Sequence, residues 1–242
     1  MTKFIDIHHH VAYGIDDGAR NIECSKQMID ASHEAGICEI ISTPHVQPGR
    51  KAFDYEKYLG IIDELNQYCI QKDYDIKVIP GAEIMYTDAA TRLLNEGYIP
   101  TLNQSRFVLV EWKNPVNYDA FVQNIRDLIN AGYTPVIAHI ERYKNLWFAA
   151  KRIQQLKSMF DIRIQVDCEV FLERAPLLAK LFVDKLMKMR LVDYLATDAH
   201  NVSDRGVNMK DAYEVVNKKY GSDYAKELTY ENQLEILEAE LP

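Results

Sequence analysis

Short runs rich in β-branched residues alternate with longer amphipathic stretches along the whole chain, and this alternation limits the possible folds most strongly. It is the pattern of repeated strand–helix units packed around a parallel sheet. The runs predict seven strands, at residues 4–7, 39–42, 76–79, 107–110, 135–138, 162–166 and 193–196.

The amphipathic stretches predict helices over residues 22–35, 55–71, 118–131, 145–158, 176–189 and 208–219, with a final helical segment toward Leu237. Asn21 stands where an N-cap would begin the first helix. Gly36 and Gly132 each follow a helix at the position that favours a left-handed residue.

The chain has no composition break and no low-complexity linker, so we expect residues 1–242 to form a single domain. Seven strand–helix repeats in 242 residues predict an α/β fold of the (β/α) barrel type. The alternative is an open doubly wound sheet, which usually carries a glycine-rich first turn. Neither G-x-G-x-x-G nor G-x-x-x-x-G-K-[ST] occurs in the sequence.

Charge and hydropathy argue against several classes of function. A formal net charge of −8 is unlike the basic surface that binds nucleic acid. No apolar run approaches the roughly 18 residues that span a bilayer, and the stretch before His8 is too short for a signal peptide, so we expect a cytoplasmic protein without membrane insertion. The four cysteines contain no C-x-x-C pair, which predicts reduced thiols.

Residues that commonly bind metals follow six of the seven predicted strands. They are His8 and His10 after the first strand, His45, Glu83, Glu111 and His139 after the next four, and Asp198 and His200 after the last. In a parallel barrel the C-terminal strand ends meet at the face that carries the active site. The pattern therefore predicts that these side chains converge on a multinuclear metal site.

The residue types favour certain metals. His8 and His10 are two residues apart, so both point to one face of a strand and His9 points to the other. Isolated histidines are usually packing or surface residues, which is the interpretation we give His9 and His33. Imidazoles and carboxylates without thiolates favour Mn²⁺, Fe²⁺, Zn²⁺ or Co²⁺.

Three further residues complete the candidate site. Asp17 is an additional oxygen ligand, although Asp16 or Asp17 could instead be a turn residue because Asp-Gly is a common turn dipeptide. Arg142 and Arg205 stand close to candidate ligands in sequence, where they could clamp a phosphate or form surface salt bridges. Clustered metals suit phosphate ester hydrolysis, because they lower the pKa of bound water toward 7 and brace phosphoryl oxygens.

The motifs around these residues carry a family resemblance. They are DIHHH at 6–10, STPH at 42–45, GAE at 81–83, AHIERY at 138–143 and TDAHN at 197–201. Together they resemble the polymerase and histidinol phosphatase (PHP) superfamily. The chain is most similar to the bacterial metal-dependent protein tyrosine phosphatases of capsule and exopolysaccharide gene clusters, over nearly its whole length.

The resemblance implies a distorted (β/α)7 TIM-like barrel with three divalent metal ions, usually Mn²⁺, and a phosphorylated tyrosine autokinase as partner. It implies hydrolysis of phosphotyrosine by a metal-activated hydroxide. One metal would take His8, His10, Glu83 and Asp198, a second Glu83, Glu111 and His139, and a third Asp17, His45 and His200. Arg142 and Arg205 match the phosphate-contacting arginines of the family. The chain departs from the family at His9 and at Asp167-Cys168.

Three alternatives stay open at this point. The first is a histidinol phosphate phosphatase or general small-molecule phosphomonoesterase of the same superfamily. The second is a cysteine-dependent phosphatase, because Cys168 and Arg174 have C-x5-R spacing. The third is a degenerate metal-site protein that only binds a kinase.

Overall fold

The computed structural model describes residues 2–172 and 175–241, and its strands all pair in parallel. The strands are β1 (Phe4–His9), β2 (Ile37–Ser42), β3 (His45–Val46), β4 (Lys77–Pro80), β5 (Glu83–Met85), β6 (Phe107–Glu111), β7 (Thr134–Ile137), β8 (Arg163–Asp167) and β9 (Tyr194–Ala196). Each of the seven predicted strands overlaps one of these. The short β3 and β5 were not predicted.

Two of the seven strands are broken in the middle, which explains the two extra segments. Pro44 lacks an N–H group and separates β2 from β3, while Gly81 lies between β4 and β5. The Tyr58 hydroxyl bridges the break, because it donates to the Ser42 carbonyl at 2.8 Å and accepts from the Gly81 N–H at 3.2 Å. As a result β2 pairs with β1 and β4, whereas β3 and β5 join the sheet of β6 to β9.

The last strand returns to the first and completes the ring. The His10 N–H donates to the Ala199 carbonyl, and the Asp198 N–H donates to the His8 carbonyl, both at 2.9 Å. His9 and Ala199 form a parallel bridge. The fold is therefore the predicted distorted seven-strand α/β barrel, with the broken strands as its distortion.

The helices are α1 (Ile22–Ala35), α2 (Tyr55–Gln71), α3 (Ala90–Asn95), α4 (Tyr118–Asn130), α5 (Ala150–Met159), α6 (Leu177–Lys188), α7 (Met209–Tyr220), α8 (Ser222–Lys226) and α9 (Leu234–Glu238). Asn21 caps α1 by accepting from the Cys24 N–H at 3.0 Å. Gly36 and Gly132 have φ of 87° and 93°, as their positions predict.

Two helix predictions were wrong. The helix predicted from residue 145 begins only at Ala150, because residues 144–146 form a 3₁₀ turn. The Asn145 side chain donates to the Val116 carbonyl at 2.7 Å and holds this turn against a neighbouring loop. Helix α3 was not predicted, and its six residues are too few to show a clear apolar period.

The interior of the barrel is closed at one end by the C-terminal segment. An inner cluster joins the strand residues Ile5, Ile7, Phe107 and Tyr194 to Ile236 of α9. Glu235 beside it accepts hydrogen bonds from the Tyr194 hydroxyl and from Arg163. Because these strand residues lie near the N-terminal strand ends, the opposite, C-terminal end of the barrel is the open mouth.

Among the helices of residues 2–172 and 175–241, none combines the length and the apolar character needed to cross a membrane.

We predict that Ile236→Ala destabilises the whole barrel. The Ile236 side chain is fully buried in the inner cluster, so its truncation should lower the free energy of unfolding by about 2–5 kcal/mol. Urea unfolding followed by circular dichroism measures the change, and Leu241→Ala, at an exposed position, is the control. Equal stability of the two variants would show that the C-terminal segment is not part of the core.

Candidate metal centre

The mouth of the barrel brings together the metal-binding residue types that follow the strands. His8 and Glu111 lie near the C-terminal ends of β1 and β6, His45 and Glu83 begin the short strands β3 and β5 that follow the breaks, and His10, His139, Asp198 and His200 lie just beyond a strand. His139 and Asp198 have φ of 33° and 50°, a left-handed conformation that is uncommon for residues other than glycine. Such strained positions concentrate at functional sites.

Glu83 is at the centre of this cluster and is fully buried. Its Oε2 atom lies 3.2 Å from His8 Nε2, 3.4 Å from His10 Nε2 and 2.8 Å from His45 Nδ1. Its Oε1 atom lies 2.6 Å from His139 Nε2. One carboxylate therefore contacts four imidazoles, two from the strands β1 and β3 and two from the loops that follow β1 and β7.

Three groups of side chains each place their ligand atoms within 4.8 Å of one another. The groups are His8, His10, Glu83 and Asp198; His10, Asp17, His45 and His200; and His45, Glu83 and Glu111. The first matches the partition that the resemblance implies. The second contains the implied set of Asp17, His45 and His200 with His10 added, and the third has His45 in place of His139.

The buried polar atoms of the cluster fit a set of divalent cations. Six atoms that face one another across the cluster form no hydrogen bond of regular geometry within the described part of the chain, although they approach one another or Asp17 as ion pairs: the Nε2 atoms of His8, His10 and His200, His45 Nδ1, Glu83 Oε2 and Asp198 Oδ1. Buried polar atoms are normally hydrogen-bonded, since leaving them unpaired is costly. Metal ions would satisfy these convergent nitrogen and oxygen atoms together, and the absence of sulfur among them suits Mn²⁺, Fe²⁺ or Zn²⁺.

The charges within the cluster favour ionised carboxylates. Burial alone would raise the pKa of Glu83 and of Asp198, but the surrounding imidazoles, His8 foremost, hold both pKa values well below their usual range. The Arg142 guanidinium acts on the pKa of Asp198 in the same direction. Both residues therefore present charged oxygens at neutral pH.

Arg142 and Arg205 border the cluster and converge on one carboxylate. An Arg142 Nη2–H group donates to Asp198 and, at 2.6 Å, to Asp167, and Arg205 Nη2 donates to Asp198 at 2.8 Å. Both arginines therefore form salt bridges and also lie beside the metal-binding groups. Asp198 links the two arginines to His8 and His10, whose Nε2 atoms lie 3.2 and 3.1 Å from its other oxygen.

The family model described as "Capsular polysaccharide synthesis, CpsB/CapC" matches residues 4–238. The chain belongs to the CpsB/CapC family. The tyrosine-protein phosphatase CpsB of Streptococcus pneumoniae is 34% identical over 96% of this chain and 98% of its own length. The predicted family resemblance is therefore confirmed.

Solved structures agree with this membership. One described as showing YwqE from Bacillus subtilis and CpsB from Streptococcus pneumoniae, "unique metal-dependent tyrosine phosphatases", has a TM-score of 0.89 and 30% identity, covering 98% of this chain and 95% of that one. A histidinol phosphate phosphatase from Lactococcus lactis has a TM-score of 0.55 at 13% identity, over 93% and 94% of the two chains. At that identity it shares the fold alone.

An irregularity in β1 determines where the three consecutive histidines at 8–10 point. Asp6 pairs with Ile40 and His9 with Ser42, so β1 has one more residue than β2 between these pairs. The bulge allows Ile7 to join the inner core while His8 joins the metal-binding cluster. His9 faces α1, with its Nε2 atom 3.5 Å from Ser32 Oγ, and burial lowers its pKa to about 3. His9 is a neutral wall residue, as its spacing predicts.

Asp16 also belongs to the site, although the sequence left open whether Asp16 or Asp17 is the turn residue. Its Oδ2 atom lies 2.7 Å from His10 Nδ1 and accepts from the His45 N–H at 2.8 Å, while Oδ1 accepts from the Gly18 N–H at 2.9 Å. Carboxylates in this position orient the imidazoles that bind metals. The next residue, Asp17, is 63% exposed and approaches His45 Nε2 to 3.3 Å. Asp16 is therefore the turn residue, and Asp17 is the residue whose carboxylate faces outward.

Gly18 is required by this loop, because a Cβ atom there would lie 2.4 Å from the His10 carbonyl oxygen. Gln165 on β8 supports the opposite side of the cluster. Its Oε1 atom lies 3.3 Å from His8 Nδ1 and accepts from the His139 N–H at 2.6 Å. The Asp-Asp-Gly turn was a visible signal for Asp16, whereas Gln165 had no motif that could identify it.

Cys168 does not have the environment of a nucleophile. Its side chain is fully buried with Sγ 3.7 Å from Met209 Sδ, and burial raises the pKa of the thiol well above its usual value. Nucleophilic cysteines need the opposite shift, since the thiolate is the reactive form. Arg174, the other half of the C-x5-R motif, lies outside the described residues.

We predict that Asp16→Asn weakens metal binding without unfolding the protein. The amide keeps the shape of the side chain but removes the charge that orients His10, so the affinity for Mn²⁺ should fall by about 10- to 100-fold. Isothermal titration of chelator-stripped protein measures this affinity. Asp63→Asn, an exposed change on α2, should bind like the wild type, and an unaltered affinity for Asp16→Asn would refute the orienting role.

Proposed function

We propose that this chain is a metal-dependent protein-tyrosine phosphatase with three divalent ions, for which we expect Mn²⁺. The observation that carries the proposal is the buried, convergent set of imidazole nitrogens and carboxylate oxygens directly beside two arginines. Membership of a family whose relatives are named tyrosine-protein phosphatases supports the choice of substrate. The proposed ligands are His8, His10, Asp17, His45, Glu83, Glu111, His139, Asp198 and His200.

The bound metals would supply an activated water nucleophile and a positive charge against the phosphoryl oxygens. Arg142 and Arg205 orient the phosphate, because each guanidinium offers paired N–H groups that match its oxygens. Asp198 fixes both arginines from one side, which limits the reorganisation needed when charge develops in the transition state. A phenolate, whose conjugate acid has a pKa of about 10, leaves without strong assistance from an acid.

We also propose the biological partner. The family is defined by capsular polysaccharide synthesis, and the relative with 34% identity is a tyrosine-protein phosphatase. These two descriptions support a phosphorylated tyrosine autokinase of capsule or exopolysaccharide synthesis as the substrate, with the reaction taking place in the cytoplasm. The single-domain organisation over residues 1–242 is part of the same proposal.

We predict that metal restores hydrolysis of phosphotyrosine peptides by chelator-stripped protein. Phosphate release is measured with and without Mn²⁺, on the peptide and on histidinol phosphate in parallel. Activity that depends on metal and favours the peptide is expected. A preference for histidinol phosphate would instead assign the chain to the small-molecule branch, and full activity without metal would refute the metal mechanism. Thiol alkylation should leave the activity intact, because Cys168 is buried.

We predict that Asp198→Ala and Arg142→Lys fail in different ways. Asp198→Ala removes a proposed ligand and the anchor of both arginines, so metal content and kcat should fall together. Arg142→Lys keeps the proposed ligands but loses paired N–H donors, so kcat should fall by about 10²- to 10³-fold at unchanged metal content. Metal analysis and steady-state kinetics separate the two. Arg92→Lys on exposed α3 is the control, and full kcat for Arg142→Lys would refute phosphate contact.

A further inference from the structure

A cavity of about 400 Å³ opens next to the metal centre on the Arg142 side. Arg142 and Asp167, which already border the cluster, form one wall of it. The remaining wall combines the apolar side chains of Trp147, Val170, Pro176 and Ala179 with the charged side chains of Glu141, Lys144 and Glu169. The cavity is therefore continuous with the proposed catalytic site but different from it in chemistry.

Large apolar side chains are exposed on the outer face of α6, whose N-terminal end also supplies Pro176 and Ala179 to the cavity. Leu177 and Leu181 are 71% and 57% exposed, and Leu178 lies between them on the first two turns of α6. Phe148, next to the cavity residue Trp147, is 86% exposed. Because α6 follows β8, its first turns lie at the mouth of the barrel. Single exposed apolar residues are ordinary, but a group of them beside a catalytic pocket is typical of an interaction surface.

The carboxylates around the cavity limit what it accepts. Asp167 pairs with Arg142, and on the remaining wall the carboxylates of Glu141 and Glu169 outnumber the ammonium group of Lys144, which disfavours a second phosphate. An uncharged apolar side chain avoids this repulsion and gains from leaving water. A small phosphate ester bound at the metal centre would not contact the cavity or the leucines of α6.

From these observations we propose that the cavity and the exposed leucines 177, 178 and 181, here called the α6 patch, dock the polypeptide that carries the phosphotyrosine. An apolar side chain next to the phosphotyrosine enters the cavity, and the following residues cross the α6 patch. This inference rests on the proposed phosphatase function and adds to it a preference for apolar residues beside the phosphotyrosine.

The test compares a patch variant with a matched surface variant. Leu177→Glu combined with Leu181→Glu changes two exposed residues of α6, and acidic residues are tolerated in a first helical turn. Ile70→Glu is the control, because Ile70 is 69% exposed at the C-terminal end of α2, far from the mouth. Substrates are p-nitrophenyl phosphate and phosphotyrosine peptides whose flanking residues are either leucine or serine.

The patch variant should show about a tenfold higher KM for the leucine-flanked peptide, with unchanged kinetics on p-nitrophenyl phosphate. On the serine-flanked peptide the patch variant, the control and the wild type should agree. Equal KM values for the leucine-flanked peptide would overturn the docking surface while leaving the phosphatase intact. Loss of p-nitrophenyl phosphate hydrolysis would also overturn it, because the leucines would then support the catalytic site itself.

Two other outcomes are distinguishable. If the wild type hydrolyses p-nitrophenyl phosphate but no phosphotyrosine peptide, the proposed function fails and the docking surface with it. If sedimentation shows that the wild type is a dimer, the patch variant is a monomer and KM is unchanged, the α6 patch is a contact between copies of the chain, which contradicts the proposal.

Discussion

A single buried carboxylate, that of Glu83, determines how the mouth of this barrel must be organised. It has no exposure to solvent and contacts four imidazoles, from His8, His10, His45 and His139. Charged groups are buried only when partners compensate for lost hydration. Three features place these partners around the two carboxylate oxygens of Glu83. They are the convergence of strand ends, the bulge in β1 and the breaks before β3 and β5.

Asp198 connects the buried cluster around Glu83 to the two partly exposed arginines. One of its oxygens faces His8 and His10, and the other accepts from Arg142 and Arg205. In the proposed mechanism, cation binding and phosphate orientation are coupled through this one side chain. Its backbone has the uncommon left-handed conformation that concentrates at functional sites.

The two ends of the barrel have separate tasks. The C-terminal segment fills the N-terminal end with Ile236, where substitution affects stability. The mouth holds the convergent polar residues of the candidate metal centre, to which we assign the chemistry. This division is general in parallel barrels, because the loops that follow the strands can vary without disturbing the inner core.

The sequence by itself determined the strand–helix alternation, the barrel class and the residues at the strand ends, because strand spacing and parallel pairing are local rules that bring those ends to one face. Tertiary structure decided the rest. The membership of His45 in two metal-binding groups, the orienting role of Asp16 and the burial of Cys168 depend on side-chain directions set by packing. Spacing along the chain carries no information about such directions once a bulge or a broken strand has changed the register.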